Sequence, residues 1–417
     1  MNKIKCLKII GNQKVNGIIK TSGSKNASLP LIAASLLVRG KVKLHNVPRI
    51  DDVFKMLEIL KYLNVDYSFK ENDLVIDSSN YEYKNLNIPI FSSLRGSYYF
   101  LPVLLEKKRE LRFSKVGGCN FCSRPIDIHL DVYNNAGVTS CIAGEDIVLY
   151  CEEPQEINYT FNKKSLGATI NGILLGIKLN KKVKLFNPSL EEEVLNLIEF
   201  LKKGGIEFEI DEESICFTPK PLLNEVEIDV IPDRIEAETF ALFGLALGRI
   251  GIFNFKKEHH QSFIKFMDDN KFVYSLEKDF LIVYQEEVKY SNKLIFDSYP
   301  FLPTDIGPVL LSFLLLGKRM FLLEDKVYPE RLYNLFFYRD CYSFNGKQLL
   351  VNPLSINKEN KIFYGKNLRE TMAYLFYCLT HEGVYHLYGV EHVTRGYENI
   401  INKLVSLNCK IEVIYED

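Results

Sequence analysis

Four cations stand where apolar helices should begin. They are Lys25 in Ser24-Lys25-Asn26, Arg95 in Ser93-Leu94-Arg95, Arg234 in Asp233-Arg234 and Arg369 in Asn367-Leu368-Arg369. A helix start presents free N–H groups and the positive end of the macrodipole, which attract anions. A cation at that end is mildly unfavourable for the helix itself. One such residue reads most simply as surface chance or a domain-domain salt bridge. Four, in equivalent positions of a repeated pattern, point to an anion site. Arg124, Arg331 and Arg395, near the entrances of amphipathic segments, extend the set. Arginine suits carboxylate and phosphate because its fork bonds them bidentately.

Two further residues could move protons. Asp305 closes Phe301-Leu302-Pro303-Thr304-Asp305. An aspartate before a helix is usually a cap, whereas one facing a cationic cleft could take a proton from a substrate hydroxyl. Cys119 follows Gly117-Gly118 in KVGGCNFCSRPID, with Arg124 near by. Cationic surroundings would lower its thiol pKa, although an inert cysteine is the commoner fate of any single Cys. Gly23-Ser24-Lys25-Asn26 has some of the character of a phosphate loop without the Walker spacing.

The elements that must position these groups recur six times: an apolar helix, a strand and turn, an amphipathic helix, then a strand. The apolar runs are LPLIAASLLV, YYFLPVLL, INGILLGI, FALFGLALG, VLLSFLLLG and MAYLFYCL. Amphipathic segments begin near Asp51, Ile126, Glu191, His259, Tyr328 and Arg395, roughly 65–75 residues apart. The first helix type is apolar nearly all round and should be buried on every side. The second has one apolar face, with Phe54, Leu57, Leu60 and Leu63 as an example. Period-2 strands follow, among them KVKLHNV, DLVID, VKLFNP, IEFEI and KIEVIYE. Gly137, Gly204-Gly205, Asn64 and Asn408 are placed to close second helices. The fifth repeat, at Tyr338-Arg339-Asp340, lacks such a residue. Three repeats around shared buried helices, twice over, make an α/β chain of two domains.

A chain of 417 residues exceeds one core. Its net charge of −1 gives no bulk argument for nucleic acid or an anionic membrane. Nine cysteines, with one CxxC and no second pair, suggest neither zinc nor a disulfide framework. MNKIKCLKII lacks a secretory h-region. The longest apolar stretch, Ile306 to Leu316, is too short for a bilayer. These features read as a reduced, cytoplasmic protein.

SGSKNASLP, GGCNFCSRPIDIH, PDRIEAETF, PTD and HVTRGYENI, in this order and spacing, resemble the UDP-N-acetylglucosamine 1-carboxyvinyltransferase family of enolpyruvyl transferases. The likeness covers essentially the whole chain. The related shikimate-pathway transferases share the architecture, but have an SKS-like lysine motif and no GGC loop. The resemblance implies two inside-out α/β barrel domains of three repeats each, with residues 1–21 plus 232–417 in one and 22–231 in the other. It implies transfer of the enolpyruvyl group of phosphoenolpyruvate to the 3-hydroxyl of UDP-N-acetylglucosamine by addition and elimination.

Carried over by position, Lys25, Arg124, Arg369, Arg395 and Cys119 would bind phosphoenolpyruvate. Cys119 would be the general acid and Asp305 the acceptor of the sugar hydroxyl proton, with Lys25 and Arg395 also catalytic. Asn26, Arg95, Arg124, Pro125, Ile126, Asp127, Ile128, Lys163, Ser165, Gly167, Asp305 and Val327 would contact the UDP-sugar, with Glu191, Arg234 and Arg331 close by. The resemblance implies no metal, no cofactor, no nucleic acid and no membrane. The chain departs from the family pattern at Asn367, usually aspartate, and at Leu190, Thr394 and Val116. Asn367 and Leu190 motivate one alternative, a paralogue acting on another nucleotide in secondary metabolism; a second alternative is a non-catalytic UDP-sugar sensor.

Overall fold

The computed structural model describes residues 4–115, 126–289, 292–333, 335–345, 348–355 and 359–416. The chain divides into two compact units, residues 4–22 with 232–416 and residues 23–115 with 126–231. Each has one contiguous apolar core.

The repeat is plainest within residues 157–217. Strand Ile157–Thr160 leads into helix Leu166–Leu179, then strand Val183–Phe186, parallel to the first. Helix Glu192–Lys203 follows, and a hairpin, Phe208–Ile210 with Ser214–Phe217, completes a four-stranded sheet. Val183 and Leu185 are buried while Lys184 between them is exposed, as a half-buried strand requires. The first helix is buried from Ala168 to Gly176 on all sides, whereas the second buries Val194, Leu197, Ile198 and Leu201 along one stripe. Gly205, at φ +99°, ends it in the left-handed region.

Each unit holds three such sheets around packed helices. In the 23–231 unit the inner helices are Lys25–Ala34, Phe100–Leu104 and Leu166–Leu179. In the other they are Arg234–Leu247, Gly307–Leu314 and Leu368–Thr380. Helices lie inside and sheets outside, so each unit is an inside-out α/β barrel. Among the described residues five sheets have four strands. In the sixth, the parallel strand is reduced to one bridge between Leu86 and Phe113.

Distant segments meet in one sheet of the 23–231 unit and in two of the other, where Ile4–Ile10 also runs antiparallel to Val384–Tyr388 and Ile411–Tyr415. Lys41–His45 pairs in parallel with Glu225–Asp229, and Val15–Lys20 with Gly248–Phe253. The passages at Ser22/Gly23 and Ile231/Pro232 are fixed locally within each unit. Ser24 N–H donates to the Ile231 carbonyl at 2.7 Å, and a Cβ on Gly23 would lie 1.7 Å from the Asn46 carbonyl oxygen. Ser22 N–H donates to Glu236 at 2.7 Å, and Lys403 Nζ donates to Ser22 Oγ at 2.7 Å and Glu236 at 2.6 Å. Burial raises the Glu236 pKa, against the pull of the Lys403 charge.

Several local expectations need correction. The fifth amphipathic helix, expected from Tyr328, is only the turn Glu330–Tyr333 and a 3-10 segment at Phe336–Cys341. The aromatic density there serves ring packing, as between Tyr338 and Tyr374 and between Tyr338 and Tyr377, each 6.3 Å apart. The sixth starts at Ile400 rather than Arg395, because Asn399 adopts φ 51°, which a right-handed helix excludes. The helix expected at Arg95 opens as a 3-10 segment, Arg95–Tyr99, before Phe100–Leu104. Phe54 is 37% exposed and packs on Phe69 beneath Arg49, leaving Val53, Met56, Leu57 and Leu60 to the core. Among the described residues no helix is long and apolar enough to cross a membrane.

Candidate active site

In the unit of residues 4–22 and 232–416, three inner helix starts present charged groups near one another. Asp305 precedes helix Gly307–Leu314 by two residues, and the N-cap is Ile306, with no side-chain cap bond. The capping reading of Asp305 therefore fails. Its carboxylate instead bridges two guanidinium groups: Arg331 donates to Oδ1, and Arg369 to Oδ2 at 2.7 Å. The Arg331 side chain is 4% exposed, Arg369 11% and Asp305 25%. Arg331 also donates to Thr304 Oγ at 3.3 Å and lies 5.2 Å from the centre of the Tyr328 ring. Thr304 in turn donates to Asp325, whose other oxygen accepts from Val327 N–H at 2.9 Å and Tyr328 N–H at 2.8 Å. Val327 is thus tied to the loop carrying Asp305.

Arg369 occupies the first turn of its helix. Asn367 caps that helix by accepting from Glu370 N–H at 3.0 Å, and its own amide donates to the Glu370 carboxylate at 3.4 Å. An aspartate could not make the second bond. Arg369 also donates to Tyr397 Oη at 3.4 Å, and the Tyr397 and Thr239 hydroxyls are 3.1 Å apart. Burial lowers the Arg369 pKa, but Asp305, Tyr397 and Asp233 outweigh it and hold it above the ordinary arginine value. Arg395, half-buried, ends the turn Glu391–Thr394 two residues before Tyr397. Arg234 is 7% exposed at the start of its helix, which Asp233 caps by accepting from Ile235 and Glu236 N–H at 3.0 Å.

In the 23–231 unit, Ser24 caps the helix that Lys25 opens, accepting from Ala27 N–H at 3.3 Å. Lys25 Nζ lies 3.3 Å from Asp52, whose side chain is 4% exposed. Asn26 is half-buried beside it. A second group gathers around His129. Its pKa is pushed down to about 4, first by burial and then by Arg95, with Asp127 opposing. Its Nδ1 is buried with no hydrogen-bond partner among the described residues. A Cβ on Gly167 would lie 2.7 Å from its Nε2, so Gly167 leaves the space the ring fills. Ser165 caps the helix at Gly167 through Ala168 N–H at 3.3 Å, and Lys163 is exposed just upstream. Ile126, Asp127 and Ile128 form the start of helix Asp127–Asn135. Glu191 precedes helix Glu192–Lys203 and accepts from Ser189 Oγ at 3.2 Å.

Asp305, Arg331 and Arg369 therefore meet directly, Gly167 lies against the His129 ring, and the charges of Arg95 and Asp127 act on that imidazole. Cys119, Arg124 and Pro125, with Val116, lie outside the described residues. Sequence reasoning missed Asp52, Thr304, Asp325, His129 and Tyr397. Asp52, in the acidic first turn Asp51-Asp52, and Tyr397, inside HVTRGYENI, carried a signal that could have been used. No group of three or more potential metal ligands occurs among the described residues.

The profile of EPSP synthase (3-phosphoshikimate 1-carboxyvinyltransferase) matches residues 9–288. The UDP-N-acetylglucosamine 1-carboxyvinyltransferase of Wolbachia pipientis wMel is 30% identical over 412 residues, covering 95% of this chain and 96% of its own. The chain belongs to the enolpyruvyl transferase family. The enzyme of the same name from Campylobacter hominis is 28% identical over 415 residues, covering 97% and 98%. Two solved structures bear on the fold. The enolpyruvyl transferase NikO from Streptomyces tendae superposes with a TM-score of 0.88 at 19% identity, over 100% of both chains. EPSP synthase from Acinetobacter baumannii gives 0.73 at 12% identity, over 98% of this chain and 100% of that one. The two-barrel architecture is that of enolpyruvyl transferases, and the chain is an enzyme of this family.

Proposed function

We propose that the protein transfers the enolpyruvyl group of phosphoenolpyruvate to the 3-hydroxyl of UDP-N-acetylglucosamine and releases phosphate, the first committed step toward peptidoglycan. The observation that carries this reading is the similarity to curated carboxyvinyltransferases over nearly the whole chain.

The chemistry needs an acid, a base and fixed cations. A proton adds to the methylene carbon of phosphoenolpyruvate while the sugar oxygen bonds the adjacent carbon. The hydroxyl proton passes to a base. A methyl proton then departs, its C–H electron pair re-forms the double bond, and the C–O bond to phosphate breaks. In this reading Cys119 supplies the first proton and Asp305 accepts the hydroxyl proton. Lys25, Arg124, Arg369 and Arg395 bind the donor's phosphate and carboxylate. Arg95, Asp127, Ser165 and Gly167, with Asn26, Pro125, Ile126, Ile128, Lys163 and Val327, hold the nucleotide sugar. The close approach of Gly167 to the His129 ring, on which Arg95 and Asp127 act through their charges, supports the nucleotide assignment, and the contact of Asp305 with Arg369 supports the donor assignment. The reading takes the protein as cytoplasmic, where phosphoenolpyruvate is made.

Phosphate release from the two substrates tests it. Release is expected from the wild-type protein and should vanish in Cys119→Ala and in Asp305→Ala. Binding of UDP-N-acetylglucosamine without release, or turnover only with another uridine compound, would replace it with the sensor or the paralogue.

A further inference from the structure

Arg369 has two calls on it in the reading above: it holds Asp305, and it is assigned to the donor's anion. The geometry shows which contact can yield. Arg331 is fixed by Asp305, by Thr304 Oγ at 3.3 Å and by the Tyr328 ring. Arg369 has the Asp305 bond at 2.7 Å and one long bond to Tyr397 at 3.4 Å. A guanidinium has five N–H donors, so Arg369 keeps capacity for a further acceptor. A carboxylate gripped by two guanidinium groups is also a weaker proton acceptor than one gripped by a single group. The charged groups around it include Arg331 and Arg369, with Asp233 acting on Arg369 and Asp325 reached through Thr304.

We propose that Arg369 acts as a substrate-operated catch, holding the Asp305 carboxylate until the phosphoenolpyruvate anion draws the guanidinium away and frees Asp305 to take the acceptor's proton. This inference rests on the proposed function. The step balances: the hydroxyl proton moves to the Asp305 oxygen that Arg369 has left, and the O–H electron pair forms the bond to the donor carbon. The acceptor is then deprotonated only when its electrophile is present.

Thermodynamic reciprocity supplies the test. If the anion loosens the Arg369–Asp305 pair, removing Asp305 must tighten the anion. Phosphoenolpyruvate binding to the full-length protein is measured by calorimetry without any acceptor, so no turnover occurs. Asp305→Asn should bind phosphoenolpyruvate about ten-fold more tightly than wild type while losing phosphate release. Asp305→Ser, smaller and equally neutral, should tighten binding in the same sense and guards against a folding defect peculiar to the amide. An aspartate needed only to hold Arg369 in its binding position would instead loosen binding when removed. Unchanged or weaker binding in a folded variant overturns the catch, and active wild-type protein would then leave the proposed function standing. A wild-type protein that neither binds phosphoenolpyruvate nor releases phosphate overturns both.

Discussion

Asn367→Asp should destabilise the protein in a way that depends on pH, and the structure sets the size. The Asn367 amide donates to Glu370 Oε2 at 3.4 Å, with the residues 9% and 4% exposed. An aspartate of the same shape would set carboxylate against carboxylate. At that separation the repulsion is of order 5 kcal/mol with an effective dielectric near 20. The pair escapes part of it by taking up one proton, which at pH 7 costs about 4 kcal/mol for an ordinary carboxyl. The expected loss is therefore about 2–4 kcal/mol at pH 7, shrinking to about 1 kcal/mol at pH 5. The sign follows from linkage. One carboxyl of the pair has its folded pKa raised, so the penalty grows as pH rises from the unfolded value toward the folded one. Urea unfolding at both pH values measures it. Adding Glu370→Gln to Asn367→Asp should restore part of the loss at pH 7, since it removes the carboxylate–carboxylate repulsion but gives up the Lys366 N–H bond to Glu370 Oε2. Full stability of Asn367→Asp at pH 7, or an equal loss at both pH values, would refute the reasoning.

Two further outcomes follow from residues in the 23–231 unit. His129 has a folded pKa near 4 against about 6.5 unfolded, so the unfolded chain takes up its proton first as pH falls. Stability should drop by up to about 3 kcal/mol between pH 6.5 and 4, and His129→Gln should flatten that part of the unfolding profile. A profile of the same slope in the variant would remove His129 as the cause. Gly23→Ala should cost at least about 3 kcal/mol by denaturant titration, because the new Cβ meets the Asn46 carbonyl at 1.7 Å and backbone must move. An alanine variant within 1 kcal/mol of wild type would show that the turn gives way freely.

The repeat architecture was legible because its signals are local. INGILLGI is apolar all round, and only an inner helix buries every side. Asn64, Gly137, Gly205 and Asn408 end their elements in the left-handed region, as their residue types allow. Where tertiary packing competes with pattern, reading failed. Phe54 matched the helical period but lies over Phe69, with Arg49 above both rings. The segment after Tyr328 had amphipathic composition, yet its rings pack against Tyr374 and Tyr377, and only short turns survive.

The site was legible as a set of residue types and illegible as a set of pairs, and the pairs change its meaning. Seen alone, the cations at helix starts are anion receptors. In the fold, Lys25 lies against Asp52, and Arg331 and Arg369 share Asp305. Asp305 is 26 residues from Arg331 and 64 from Arg369, beyond any local spacing rule. A physical reason for the pairing is desolvation, since a buried guanidinium without a counter-charge carries a penalty of several kcal/mol. A cationic site must therefore contain its own carboxylates, and an incoming anion competes with them. The base of the proposed reaction is one of those carboxylates. In the proposed catch, donor binding and base release are coupled, because the guanidinium that the donor anion draws on is the one that holds Asp305.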